Sequence, residues 1–200
     1  MEWNEHNIAR AIALQTLARK CVVLVDNCNW TGRECDVLGV TTDLRIIDVE
    51  VKISRADLKA DAKKEKWWER VFTGQYKPEE KGYDANGRHI WTRQERIYDS
   101  TPREWPRKVW KHYYALPREI WKPELLECLP SKASGVLLLW EHNGRVQVCC
   151  ERRATTNKDA HRLTPQQVID IARLANLRMW EAYHQRDAAK LQAQQARAAA

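Results

Sequence analysis

Of the 200 residues one is phenylalanine, seven are glycine and seven are proline, and no internal repeat is visible. No apolar run approaches the ~20 residues needed to span a bilayer, which sets aside a helical membrane protein. The opening Met1-Glu2-Trp3-Asn4-Glu5-His6 lacks the basic-then-apolar pattern of a secretion signal, so a cytoplasmic protein is expected. Cys21, Cys28, Cys35, Cys128, Cys149 and Cys150 contain no C-x-x-C pair, and several lie inside apolar runs. They are expected to be reduced and to pack as small hydrophobes, not as a disulfide framework or a zinc ribbon. His6, His89, His112, His142, His161 and His184 show no metal-ligand spacing with one another.

Basic charge and tryptophan are what the chain does have. The formal net charge is +7, with 44% hydrophobic and 30% charged residues, the balance of a soluble domain with an anionic partner as one option. Lysine and arginine concentrate between Arg55 and Lys122, interleaved with Trp67, Trp68, Tyr76, Tyr83, Trp91, Trp105 and Trp110. There are ten tryptophans in all, and indole stacks on bases as readily as it fills a core.

Hydrophobic spacing predicts a helix from Glu5 to about Lys20, with Ile8, Ile12, Leu14 and Leu17 on its buried face. Strands follow at Cys21–Val25, Glu34–Thr41 and Leu44–Ser54. Ser54 has the look of an N-cap with Asp57 as its partner, opening a helix that continues to roughly Arg70. Residues 73–107, punctuated by Gly74, Pro78, Gly82, Gly87, Pro102 and Pro106, are expected to form a basic loop excursion with room for a short hairpin. Val109–Leu116 reads as a strand ended by Pro117, and Arg118 to about Leu129 as short helix or turn. Gly135–Glu141 and Arg145–Glu151 form a hairpin around Asn143-Gly144. Pro165 opens a last helix carrying Val168, Ile171, Leu174, Leu177 and Met179. One domain over residues 1–187 is expected, with an Ala/Gln-rich tail over 188–200.

The chemistry concentrates in two neighbouring strands. Asp36 stands on the second, and Asp48, Glu50 and Lys52 alternate along the third with Ile47, Val49, Val51 and Ile53. Alternation puts the three charged groups on one face, and antiparallel pairing brings Asp36 toward Glu50. A wet strand face explains the same alternation without any function. Asp57 reads better as a helix cap than as a ligand; Asp61 is left open, with Arg55 or a nearby lysine as its partner. Of Trp67 and Trp68, one is expected in the core, and His112 is expected to be a packed or hydrogen-bonded residue.

The order of elements, together with Asp36 and Glu50-Val51-Lys52-Ile53-Ser54-Arg55-Ala56-Asp57-Leu58-Lys59-Ala60-Asp61, resembles the PD-(D/E)XK nuclease superfamily. The nearest likeness is to its MmcB-like DNA repair and phage-encoded members. The resemblance continues more weakly through Tyr113–Pro117 and the Gly135 strand, and residues 73–107 have no counterpart in it. It implies an α/β, restriction-endonuclease-like mixed sheet flanked by helices with an inserted basic loop region. It further implies a metal-dependent endonuclease or exonuclease hydrolysing DNA, with Asp36, Glu50 and Lys52 catalytic. Mg²⁺ or Mn²⁺ would be held by Asp36, Glu50 and the carbonyl of Val51, with Glu5 as an additional ligand in some members. Arg55, Lys59, Lys63, Lys64 and Lys66 are the candidates for the phosphate backbone, although a solvated helix face accounts for them as well. A catalytically silent nucleic-acid-binding or defence-inhibiting protein on the same fold is the alternative, and an adaptor using the tryptophan-rich excursion is a third reading. The strandedness of the DNA and the oligomeric state, a dimer included, are left open by the sequence.

Overall fold

The computed structural model describes residues 2–77, 82–83, 85–90 and 95–199. In chain order the helices are α1 (Glu5–Ile12), α2 (Arg55–Ala60) and α3 (Pro165–Ala199). The strands are β1 (Cys21–Cys28), β2 (Cys35–Thr41), β3 (Ile46–Val51), β4 (Trp68–Tyr76), β5 (Gly82–Tyr83), β6 (His89–Ile90), β7 (Arg96–Pro102), β8 (Val109–Pro117), β9 (Gly135–His142) and β10 (Arg145–Arg152). Six of them build one mixed sheet in the order β1-β2-β3-β8-β9-β10, and helices flank it. The expected α/β architecture is therefore the one observed. Among the described residues no helix is long and apolar enough to cross a membrane.

The outer pairs β1–β2, β2–β3 and β9–β10 are antiparallel, whereas β3–β8 and β8–β9 are parallel. Parallel neighbours require a crossover between them. The β3–β8 crossover is where α2 and the inserted segment sit. Asn143 and Gly144 both have positive φ, as a two-residue hairpin turn between β9 and β10 requires.

Period-two alternation sorts β3 into two faces. Ile47, Val49 and Val51 pack with Val37, Ala115 and Leu137 beneath Ile8, Ala11 and Ile12 of α1. On the other face Leu38, Val40 and Ile46 lie under Ile171 of α3, and Tyr114, Leu116 and Val136 lie under Leu58 of α2. Asp48 and Glu50 belong to this second face, at the seam between those two apolar clusters.

Two expectations need correction, and two others gain detail. The first helix is shorter: α1 gives way to a π-helical turn at Ala13–Leu17. That wider turn carries burial from Ile12 to Leu17 and leaves Leu14 exposed. The helix after Ser54 ends at Ala60 and does not reach Arg70; two 3₁₀ turns, Asp61–Lys63 and Glu65–Trp67, succeed it. The backbone at Lys64 is extended (φ −67°, ψ 139°), and Asp61 draws the Trp67 indole N–H onto its carboxylate at 2.9 Å, which folds the chain back on itself. The excursion is an antiparallel hairpin of β4 and β7, beginning already at Trp68, with a small β5–β6 pair beyond. Residues 78–81, 84 and 91–94, Pro78 and Trp91 among them, lie outside the described residues. Finally, α3 runs without a break past residue 187, so the tail continues the helix through Ala199 and is exposed as far as its side chains are described.

Gly135 begins β9 against Tyr113 of β8. A Cβ there would stand 2.4 Å from the Tyr113 ring and 2.6 Å from the backbone nitrogen of Ala154. Gly135→Ala is expected to destabilise the fold by about 1–3 kcal/mol through overpacking, read as a lower urea midpoint with an unchanged m-value.

Candidate active site

The pairing register of β2 and β3 decides whether the two strand acids meet. Val37 lies opposite Val49, so one further step places Asp36 opposite Glu50 on the same face. At that end the ladder is closed by a side chain: the Val51 N–H donates to Asp36 Oδ2 at 2.6 Å. The Lys52 N–H donates the other way, to the Ala115 carbonyl of β8. In an extended strand the N–H and C=O of one residue point to the same side, so the Val51 carbonyl is directed toward the Asp36 side.

Behind this pair lies a buried ionic network. Lys52 Nζ sits 3.3 Å from Glu50 Oε2, 2.9 Å from Asp61 Oδ1 and 3.6 Å from Asp57 Oδ1. Lys64 Nζ bridges Glu50 Oε2 at 3.2 Å and Asp61 Oδ1 at 3.0 Å, while Lys66 pairs with Glu50 Oε1. Asp61 Oδ2 accepts from the Tyr114 hydroxyl at 2.6 Å and from the Trp67 indole at 2.9 Å. Glu50 and Lys52 are each 2% exposed and Asp61 is fully buried. Such charges survive burial only when paired and hydrogen-bonded, as these are. Asp57 has a double role: its N–H is capped by Ser54, and its half-exposed carboxylate faces Lys52.

The acids titrate differently because their surroundings differ. Burial pushes the Asp36 carboxyl up to about 6, with the Glu50 charge adding to the rise and the Val51 N–H opposing it. Burial likewise raises Asp48 to about 7, against the pull of Lys66. For Asp61 burial is outweighed by Lys66, Lys52 and the donors Tyr114 and Trp67, which hold it well below the usual carboxylate range. His112, wholly buried, is driven well below its ordinary value, first by burial and then by Lys66. Its Nε2 lies 3.8 Å from Asp48 Oδ2, beyond hydrogen-bond reach, and burial disfavours the charged imidazole. Its Nδ1 meets Ser134 Oγ at 3.0 Å, and its ring makes edge contacts with Trp67 and Tyr114.

Asp36, Glu50 and Lys52 are thus brought together. Glu5 is not part of this network: it is exposed in the first turn of α1, the helix on the opposite sheet face, and has no ion-pair partner among the described residues. Lys59 and Lys63 are solvent-facing, and Lys64 is half-exposed. Lys66 is buried against Glu50, so it is a network ammonium and not a solvated phosphate contact. Among the described residues Arg55 pairs with neither Asp61 nor any other acid; its Nε donates to the Ile120 carbonyl at 2.7 Å. The central part played by Asp61, Trp67 and Tyr114 had no strong signal in the sequence, beyond the position of Asp61 seven residues after Ser54.

Asp36, Glu50 and the Val51 carbonyl are oxygen donors of the type a hard divalent cation takes. Among the described residues Asp36 has no ion-pair partner, and burial first and the Glu50 charge second disfavour its ionised form. Four carboxylates (Asp36, Asp48, Glu50, Asp61) face three ammonium groups (Lys52, Lys64, Lys66), so the cluster is anionic when all are ionised. No cluster of three or more His, Cys, Asp or Glu side chains suited to a metal occurs among the described residues. Two carboxylates and a carbonyl remain a sufficient protein share for an ion such as Mg²⁺, which keeps several waters.

No family model matches this chain. Nor does any curated protein. Among solved structures the chain is similar to a protein of unknown function from Silicibacter pomeroyi, at 19% identity and a TM-score of 0.50, with 92% of this chain and 91% of that one covered. That likeness speaks for the fold alone.

The raised carboxyls give a testable pH dependence. A carboxyl whose folded pKa lies above its unfolded value near 4 contributes stability at low pH and loses it as pH rises through the interval between the two. For Asp36 that interval runs to about 6 and for Asp48 to about 7. Asp48→Asn should remove the share of Asp48, so the melting temperature of the variant relative to wild type should be higher at pH 7.5 than at pH 5. A difference that does not widen between those two pH values would contradict the assignment.

Proposed function

We propose that this chain is a metal-dependent deoxyribonuclease. The observation that carries the reading is the meeting of Asp36, Glu50 and Lys52 at one end of the β2–β3 ladder, with the Val51 backbone between them. Asp36, Glu50 and the Val51 carbonyl would hold Mg²⁺ or Mn²⁺, which supplies a water acidic enough to ionise near neutral pH and offsets charge on a phosphate. Lys52, fixed by Glu50 and Asp61, keeps its ammonium at a set position beside the carboxylates. A donor so held can orient a water or stabilise charge building on a phosphate oxygen without reorganising during the reaction. Asp61 acts through Lys52, and Tyr114 and Trp67 act through Asp61, so these three are positioning residues. The resemblance of the Glu50–Asp61 stretch to nucleases of the MmcB-like and phage-encoded type supports DNA as substrate, and points to repair or phage DNA metabolism as the setting.

One observation favours the alternative of a catalytically silent nucleic-acid-binding or defence-inhibiting protein. Both oxygens of Glu50 are already taken by ammonium groups, Oε1 by Lys66 and Oε2 by Lys52 and Lys64. A cation at Glu50 would compete with Lys64, the one half-exposed member of that set.

The two readings separate in a cleavage assay on single-stranded, duplex and branched DNA with Mg²⁺, Mn²⁺, Ca²⁺ or EDTA. The nuclease reading expects cutting with Mg²⁺ or Mn²⁺ only. It also expects a loss of about 10²–10³-fold in Asp36→Asn, with DNA binding retained. Asp36→Asn is the cleaner variant, because folding already disfavours the charge on Asp36; Lys52→Ala would leave buried Asp61 and Glu50 undercompensated and cost about 3–5 kcal/mol. DNA binding without cutting in every metal would support the silent reading, and undiminished cutting in EDTA would rule out the metal mechanism.

A further inference from the structure

Beside the carboxylate cluster lies a cleft of about 280 Å³ that the nuclease reading does not use. Its walls come from three places: Thr31–Cys35 between β1 and β2, the root of the β4–β7 hairpin, and the chain entering β8. Arg33, Arg70, Arg103 and Arg107 line it, with Lys66 and Asp48 at the side shared with the cluster. Trp68 forms part of the wall; it is 40% exposed, and its indole N–H donates to the Ala62 carbonyl at 3.3 Å, which fixes the ring. Asp48 is 1% exposed, and its Oδ1 has no hydrogen-bond partner.

The charge in this cleft is arranged for an anion. Arg33 and Arg70 share Glu65, and Arg103 pairs with Glu69. Arg107 is exposed and has no ion-pair partner among the described residues. Lys66 pairs with Glu50, so the cleft and the carboxylate cluster share one buried ammonium. Of the five cationic side chains lining the cleft, four are met by Glu65, Glu69 and Glu50, and among the described residues Arg107 is the cation left open to a phosphate.

We propose that this cleft holds one nucleotide of a single-stranded DNA segment, its base against Trp68 and its phosphate among Arg33, Arg70, Arg103 and Arg107. The volume sets the size of the occupant, since it lies just below the ~300–1,000 Å³ of drug-sized ligand pockets and suits a single nucleotide. The fixed indole sets its kind, because a base can lie on an aromatic ring only when it is free of a duplex stack. The inference deepens the nuclease reading and rests on it for DNA as the ligand. It also assigns the hairpin a task, since Trp68 and Arg70 open β4 and Arg103 follows β7.

The test is binding of a fluorescent dT10 strand to the full chain in EDTA, where cutting is suppressed, with dTMP as competitor. Trp68→Ala should weaken dT10 binding about tenfold and Trp68→Tyr should restore most of it, since tyrosine still stacks. Arg107→Ala, at an exposed position with no ion pair to lose, should weaken binding several-fold and lower the salt slope by about 0.7. Trp68-dependent binding of dTMP as tight as that of dT10 would assign the cleft to a free nucleotide and overturn the strand as occupant; dT10 binding far tighter than dTMP supports the strand. Unchanged dT10 affinity in both Trp68→Ala and Arg107→Ala overturns the proposal, and does so even if the protein cuts DNA. Trp68-dependent binding in a protein that never cuts supports the cleft and removes the nuclease reading instead.

Discussion

The buried ion cluster around Asp61 and Lys52 is the constraint on which the surrounding structure depends. Three carboxylates and three lysines meet there, and the buried four, Glu50, Asp61, Lys52 and Lys66, must have their partners in place or the burial is strongly unfavourable. Those partners come from separate elements: Glu50 from β3, Lys52 just past it, Asp57 and Asp61 from α2 and the turn after it, Lys64 and Lys66 from the turns before β4, Tyr114 from β8. Satisfying them therefore fixes the crossover from β3 to β8 and the place from which the hairpin departs. Two apolar clusters wall the site on either side, so the network has little room to relax into solvent.

The acids of this network differ in how firmly the fold holds their charge. Asp61 is held ionised by its cations and donors, and its loss would leave Lys52 and Lys64 unbalanced. Asp36 is different. It stands at the rim, half-buried, with one backbone N–H as its partner and a pKa raised by burial and by Glu50. A carboxylate kept where the fold disfavours its charge is more readily explained by a ligand than by a structural need. Glu50 lies between these cases, committed to three lysines yet directly across from Asp36.

Much of this was legible in the residues. Alternation along Ile46–Val51 placed Asp48 and Glu50 on one face, the Asn143-Gly144 turn placed β9 and β10, and Ser54 capped α2. What failed did so where a tertiary contact overrode local pattern. The stretch from Asp61 to Trp67 has helical spacing, but the Trp67 indole and Lys64 ammonium bond back to Asp61 and break the helix into 3₁₀ turns. Leu14 fits an α-helical stripe that the π turn rotates out of register. Lys66 reads as a surface lysine in any window, and only the fold reveals that its ammonium is buried on Glu50. The cleft by Trp68 was unreadable for a further reason, because Arg33 and Arg107 stand 74 residues apart and meet only through topology.

The account turns on whether Asp36 and Glu50 together hold a divalent cation, which is measured most directly by titrating Mn²⁺ into metal-free protein and following free Mn²⁺ by electron paramagnetic resonance. The account predicts one site per chain in the wild type, weakened at least about tenfold in Asp36→Asn while the unfolding midpoint is unchanged or raised. No Mn²⁺ uptake by the wild type, or uptake that Asp36→Asn leaves intact, would contradict it.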